Sequence, residues 1–210
     1  MLWDGQTHAV SLTMSLWVGG AITAILVFVI LWRIWGAGYS FKNFEIDQAE
    51  IGVGQQKFKF KPNITDKQVA YAIWVELSTR KIGLPIDLDD DVISEIYDSW
   101  YAFFAVTREL IKDIPVQRVK KDSTQAIIRL SIEVLNEGLR PHLTKWQARF
   151  RQWYNLEVER YGKDFAATVL EPQMIQANFP KFAELRDDMQ RVNAALIRYR
   201  NKMQELTLKD

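Results

Sequence analysis

The chain has 210 residues, 48% of them hydrophobic, with 27 basic against 26 acidic side chains, a length that suits one modest domain and one further segment. Charges that nearly cancel exclude the global positive field with which proteins hold duplex nucleic acid, so any binding preference is local. With no cysteine and two widely separated histidines, His8 and His142, disulfides, thiolate metal centres, a cysteine nucleophile and a histidine metal site are excluded, and neither metal nor cofactor is expected.

Residues 1–8 form a short N-terminal stretch. From Ala9 to Trp32 no side chain is ionisable, and a bilayer's hydrocarbon core needs about 20 such residues as a helix. The run predicts a transmembrane helix over residues 9–36. A cleaved signal peptide would begin with a cation and end in small residues, whereas here Asp4 precedes the run and Trp32, Arg33 and Trp35 close it. Trp3, Trp17, Trp32, Trp35 and Tyr39 crowd its ends, and Arg33 and Lys42 follow it. Basic flanks stay cytoplasmic, so a single-pass protein of the cell membrane is expected, N-terminus outside and C-terminal domain inside. Ser11, Ser15, Gly19 and Thr23 recur every fourth position, with Gly20 beside them. Small residues on one face let helix backbones approach in lipid, so the stripe predicts a homo-oligomer through this segment. A pore lining ranks below packing, because the stripe holds no ionisable residue.

Residues 37–62 read as a hinge and a β-hairpin. Two alternating runs flank Gly52, Val53 and Gly54. A three-residue loop there sets Asp47 opposite Lys59 and Glu45 opposite Lys61, and gathers Phe44, Ile46, Phe58 and Phe60 on the other face. The row Lys57, Lys59, Lys61 lies close enough to the membrane to touch anionic headgroups, but a solvated strand face ranks above that account.

Residues 63–210 are helical in pattern and predict a bundle of about five helices. Thr65 and Gln68 have the spacing of a capping box, opening a helix that stops at Gly83 and Pro85. A second helix, from about Asp90 to Asp113, carries Ile93, Ile96, Tyr97, Trp100, Phe103 and Thr107 at spacings of three and four. Ser123 caps a third that ends near Gly138 and Pro141, and a fourth runs from about Pro141 to Tyr161. After Pro172 to Pro180 comes a last long helix in which Phe182, Leu185, Met189, Val192, Leu196 and Tyr199 begin an unbroken seam. That seam suits a coiled coil or an antiparallel bundle.

Two stretches invite chemistry. Asp87, Asp89, Asp90 and Asp91 suggest calcium, but an EF-hand loop needs glycine and glutamate where Val92 and Asp98 stand. Acidic residues at a helix start are the plainer account. In "RPHLTKWQARFRQWY", Arg140, His142, Lys145 and Arg149 alternate with Trp146 and Trp153. Cations beside aromatic rings suit a nucleotide or another phosphate-bearing ligand. A helix with an aromatic core face and a basic face, solvated or paired with acids of the second helix, has the same composition.

The first reading is a non-enzymatic, self-associating membrane-anchored module whose cytoplasmic helical domain binds a protein partner or a phosphate-bearing small ligand. The layout resembles in organisation the small membrane effectors of bacterial anti-phage systems, which implies as an alternative that ligand sensing opens or disrupts the bilayer. A membrane-tethered helical-bundle nuclease ranks third: Arg140 and His142 stand two apart around Pro141, which departs from the wider arginine-to-histidine motif of helical-bundle ribonucleases.

Overall fold

A computed structural model describes the backbone of residues 16–36, 43–51, 53–163 and 171–208, with side chains of residues 16–19 and 32–36 outside the description. The chain divides into two compact units, Met1–Ser40 and Phe41–Asp210. In the first, α1 spans Leu16–Gly36, and every described side chain on it is exposed. A Cβ placed on Gly20 would meet nothing within 4 Å. Among the described residues no helix is long and apolar enough to cross a membrane. The described side chains of α1, residues 20–31, rise about 18 Å along the axis, against about 30 Å of hydrocarbon. Ser11 and Ser15 of the small-residue stripe, and the surroundings of Gly19, lie outside the described residues. Thr23 is an exposed position of α1.

The second unit opens with the hairpin, β1 (Phe44–Asp47) against β2 (Lys57–Phe60), antiparallel. Its register differs from the expected one: Glu45 faces Lys59 and Asp47 faces Lys57, the latter pair bridged at 2.8 Å. The cause is the loop. A helical turn α2 (Gln48–Ile51) follows β1 directly, and buried Gln48 closes the loop by accepting from Gln56 N at 3.1 Å through its side chain and donating its own N–H to Gln56 O at 2.9 Å. Gly54 completes the turn at φ 74, a conformation open to glycine. The slip is two residues, so it preserves the faces: Phe44, Ile46 and Phe60 are still buried together.

Helix α3 (Ile64–Thr79) starts at a different cap from the expected Thr65 and Gln68. Asn63 Oδ1 accepts from Thr65 N at 2.8 Å and Asp66 N at 3.3 Å, while Asp66 Oδ2 accepts from Asn63 N at 2.8 Å. Asparagine and aspartate three apart satisfy the same donors as the box read in the sequence. Asp66 also accepts from Thr124 Oγ1 at 2.7 Å, and Asn63 Nδ2 donates to Ser123 Oγ at 3.1 Å. Ser123, expected to cap its own helix, instead ties that helix to the start of α3. Helix α4 (Ile93–Lys112) buries the expected aromatic stripe, and the short α5 (Val116–Val119) turns the chain.

The expected break near Gly138 and Pro141 is absent. Residues 122–163 form one continuous helix: α6 (Asp122–Glu133), a π-helical stretch Val134–Leu139, α7 (Arg140–His142), a second π-helical stretch Leu143–Gln147, and α8 (Ala148–Lys163). Proline breaks an α-helix by lacking a donor and colliding with the carbonyl four residues back. Here the turn before it is wide, with Arg140 N bonded to Leu135 O, so the ring sits in a helix already opened beyond the α-helical repeat. Gly138, expected to terminate a helix, is a packing seat: a Cβ there would stand 2.9 Å from Val53 Cγ1 of the hairpin loop.

Beyond α9 (Pro172–Ala177), α10 (Phe182–Leu208) lies along α3. Its seam is buried within the chain through Leu185, Met189, Leu196, Tyr199 and Met203, with Asn193 rather than Val192 at the central position. Asn193 Nδ2 donates to the carbonyls of Ile82 and Leu84, both at 3.0 Å, which satisfies backbone groups left open after α3. The fold is a helical bundle with a small two-stranded sheet.

Candidate anion-binding groove

Neighbouring residues of the long helix face different surroundings, since side chains two apart point to opposite sides. His142 and Trp146 face inward to α10. Imidazole Nδ1–H and indole Nε1–H both donate to Asp188 Oδ2 at 2.8 Å, and Nε2 of His142 accepts from Tyr97 OH at 3.2 Å. Asp188 also pairs with Arg191. Burial holds the His142 imidazole below its ordinary pKa, against the opposing pull of Asp188. Burial would raise Asp188, but the hydrogen bonds from His142 and Trp146 outweigh it and hold the carboxylate below its usual range. The Tyr97 phenol is pushed up, chiefly by burial. The imidazole is therefore neutral and fixed in one tautomer, a satisfied core histidine.

On the opposite side of the same helix lies a two-lobed groove against α4, of about 440 and 260 Å³. Phe104, Arg108 and Arg140 line both lobes. Tyr101, Thr144 and Gln147 line the larger, and Ile111, Ile132 and Asn136 the smaller. The Arg140 guanidinium lies 4.9 Å from the Phe104 ring centroid, and its Nε donates to Asn136 Oδ1 at 3.1 Å. This fixes the arginine by its inner edge. No aspartate or glutamate lines either lobe, and among the described residues neither Arg108 nor Arg140 pairs with a carboxylate. Lys112, at the far end, is held by Glu109 at 2.7 Å.

Of the six residues expected to form a ligand site, Arg140 alone enters this groove. His142 and Trp146 are buried, Lys145 stacks on the Trp146 ring at 4.5 Å, and Arg149 is exposed on the solvent face. Trp153 packs edge-on against Phe179, 5.1 Å between centroids. Arg151 pairs with Asp98 of α4, which matches the basic face opposed by acids of the second helix. The groove's other arginine was missed because Arg108 belongs to α4, 32 positions upstream; its only local signal is the Phe104–Arg108 spacing of four. The aspartate run is a hydrogen-bonded loop. Asp91 Oδ2 accepts from Lys81 Nζ and Asp87 N, both at 2.9 Å, and buried Gln176 of α9 accepts from Ile93 N at 2.9 Å while donating to Asp91 O at the same distance.

No protein-family model, curated protein or solved structure matches the chain.

Proposed function

We propose that the protein is a membrane-anchored, non-catalytic helical module whose second unit takes a small phosphate-bearing ligand between α4 and the π-turned helix. The observation that carries the binding reading is the pair of guanidinium groups, Arg108 and Arg140, set in one groove without a carboxylate in its lining. A guanidinium with free terminal N–H groups matches phosphate oxygens in a two-pronged geometry. Tyr101, exposed to 49% at the groove's end, offers a ring on which a planar ligand group can stack. Two features support seating α1 in lipid. Its described side chains, residues 20–31, are exposed and none of them is ionisable, and a helix apolar on every side needs an apolar solvent. With the basic flank of Arg33 and Lys42, the ligand groove is then cytoplasmic.

The test is a thermal-melt titration of the detergent-solubilised full chain with inorganic phosphate, pyrophosphate and adenosine monophosphate. A ligand that binds the folded state raises the midpoint with concentration. Arg108→Gln combined with Arg140→Gln should remove that rise and leave the ligand-free midpoint within a few degrees, because exposed charges add little to stability. Lys145→Gln with Arg149→Gln should change neither. An unaltered rise in the Arg108/Arg140 variant, or no rise with any of the three probes, would overturn the groove as the site.

A further inference from the structure

The corner where α3 begins and α4 ends carries features that the ligand groove does not use. Ile64 and Val116 are exposed to 65% and 76%, among the largest exposures of any aliphatic side chain in the second unit. Beside Ile64, and reaching Pro115 next to Val116, runs a groove of about 380 Å³ whose apolar lining of Val69, Leu110 and Ile114 is joined by Thr65, Gln68 and one acid, Asp113. Immediately after Val116 the chain carries Arg118, Lys120 and Lys121, all exposed. None of the three pairs with a carboxylate among the described residues, whereas Lys57 of the hairpin and Lys112, the last residue of α4, do. Exposed aliphatic groups beside unpaired cations are the composition of a surface that enters the boundary between headgroups and acyl chains.

We infer that this corner docks on an anionic lipid leaflet, with Ile64 and Val116 entering the interface and Arg118, Lys120 and Lys121 meeting the headgroups. Charge complementarity selects the occupant. A second copy meeting the patch face to face would set like charges against each other, while an anionic leaflet draws in each cation within a screening length. The strand lysines first considered for headgroup contact are weaker candidates, since Lys57 is bridged to Asp47 and Lys59 stands opposite Glu45. The inference rests on the anchored reading only in that an anchor supplies the leaflet.

Because the chain has no cysteine, Val116→Cys gives a unique attachment point for a polarity-sensitive fluorophore. The labelled full chain is combined with vesicles of phosphatidylcholine alone or mixed with phosphatidylserine. Flotation with the neutral vesicles reports the anchor; probe emission reports the corner. The expected result is blue-shifted emission, protected from an aqueous quencher, in the anionic vesicles only. Replacing Arg118, Lys120 and Lys121 by Gln should lower the docking equilibrium constant read from this emission by about two orders of magnitude, at about fivefold per charge. Salt that shortens the screening length to about 3 Å should abolish it. Unshifted emission in anionic vesicles, an equal shift in both lipids, or a shift in detergent without vesicles would overturn the docking surface. Failure to float with neutral vesicles would count against the anchor, and emission with anionic vesicles would still decide the corner.

Discussion

Arg140 and His142 stand two positions apart, yet one cation faces a groove and the imidazole is sealed against α10. A spacing of two sends them to opposite sides of the helix; which side is core is decided by α10, whose Asp188 meets His142. The sealed histidine has a pH consequence. Its folded pKa is depressed by burial, so below about pH 6.5 the unfolded chain binds a proton that the folded chain resists. Stability is then full above that range and falls as the pH drops through it, by at most about 1.4 kcal/mol per pH unit. Asp188, also depressed, works in the same direction at lower pH: its contribution is present above the unfolded carboxylate value near 3.9 and is lost below it. Denaturant melts between about pH 7.5 and pH 5 should show the midpoint falling for the native chain and a shallower fall for His142→Gln. Equal slopes would show that His142 is not the group being titrated.

At the scale of elements, the long helix is where local rules and the folded chain part most clearly. Gly138 and Pro141 are ordinary stop signals, and the hydrophobic spacing on either side of them reads well as two helices. The second unit instead carries one helix past both, with Gly138 seating Val53 of the hairpin loop and a π-helical stretch on either side of the proline. Gly138→Ala therefore brings a methyl group against Val53 and should destabilise by about 1–3 kcal/mol. An uncrowded helical glycine would instead gain stability from the same change. Adding Val53→Ala should recover part of the Gly138→Ala loss, and a double-mutant cycle on urea unfolding measures the coupling. Purely additive effects would mean that the two residues do not press on each other. The hairpin shows the opposite case: the side-chain period of two protected the face assignment, while the register depended on Gln48, whose bonds to Gln56 close the loop.

At the scale of the whole molecule, the open questions concern association. The seam of α10 is occupied by α3 of the same chain, so the proposal of a homo-oligomer rests on other surfaces, first the small residues of the first unit. Gly19→Leu puts a bulky side chain on that stripe and should force neighbouring backbones apart. In detergent, the particle mass of Gly19→Leu should fall towards one chain, while Phe28→Leu, nine positions on and so on the opposite helical face, keeps the native mass. Light scattering coupled to size exclusion measures both. Identical masses would leave the stripe as ordinary small residues in an apolar helix.

The sequence by itself determined the helical class, the hairpin and its apolar face, and the buried stripes of α4 and α10, because periodicity and burial are properties of consecutive residues. It also marked Arg140. Tertiary structure decided what depends on partners distant in the chain: the register set by the Gln48 loop, the cap shared by Asn63, Asp66 and Ser123, and the carbonyls held by Asn193. It also decided the pairing of Arg108 with Arg140 across one groove. A side chain's neighbours on another element leave no period in its own sequence, and Arg108, Asp188 and Tyr97 reach this helix from α4 and α10.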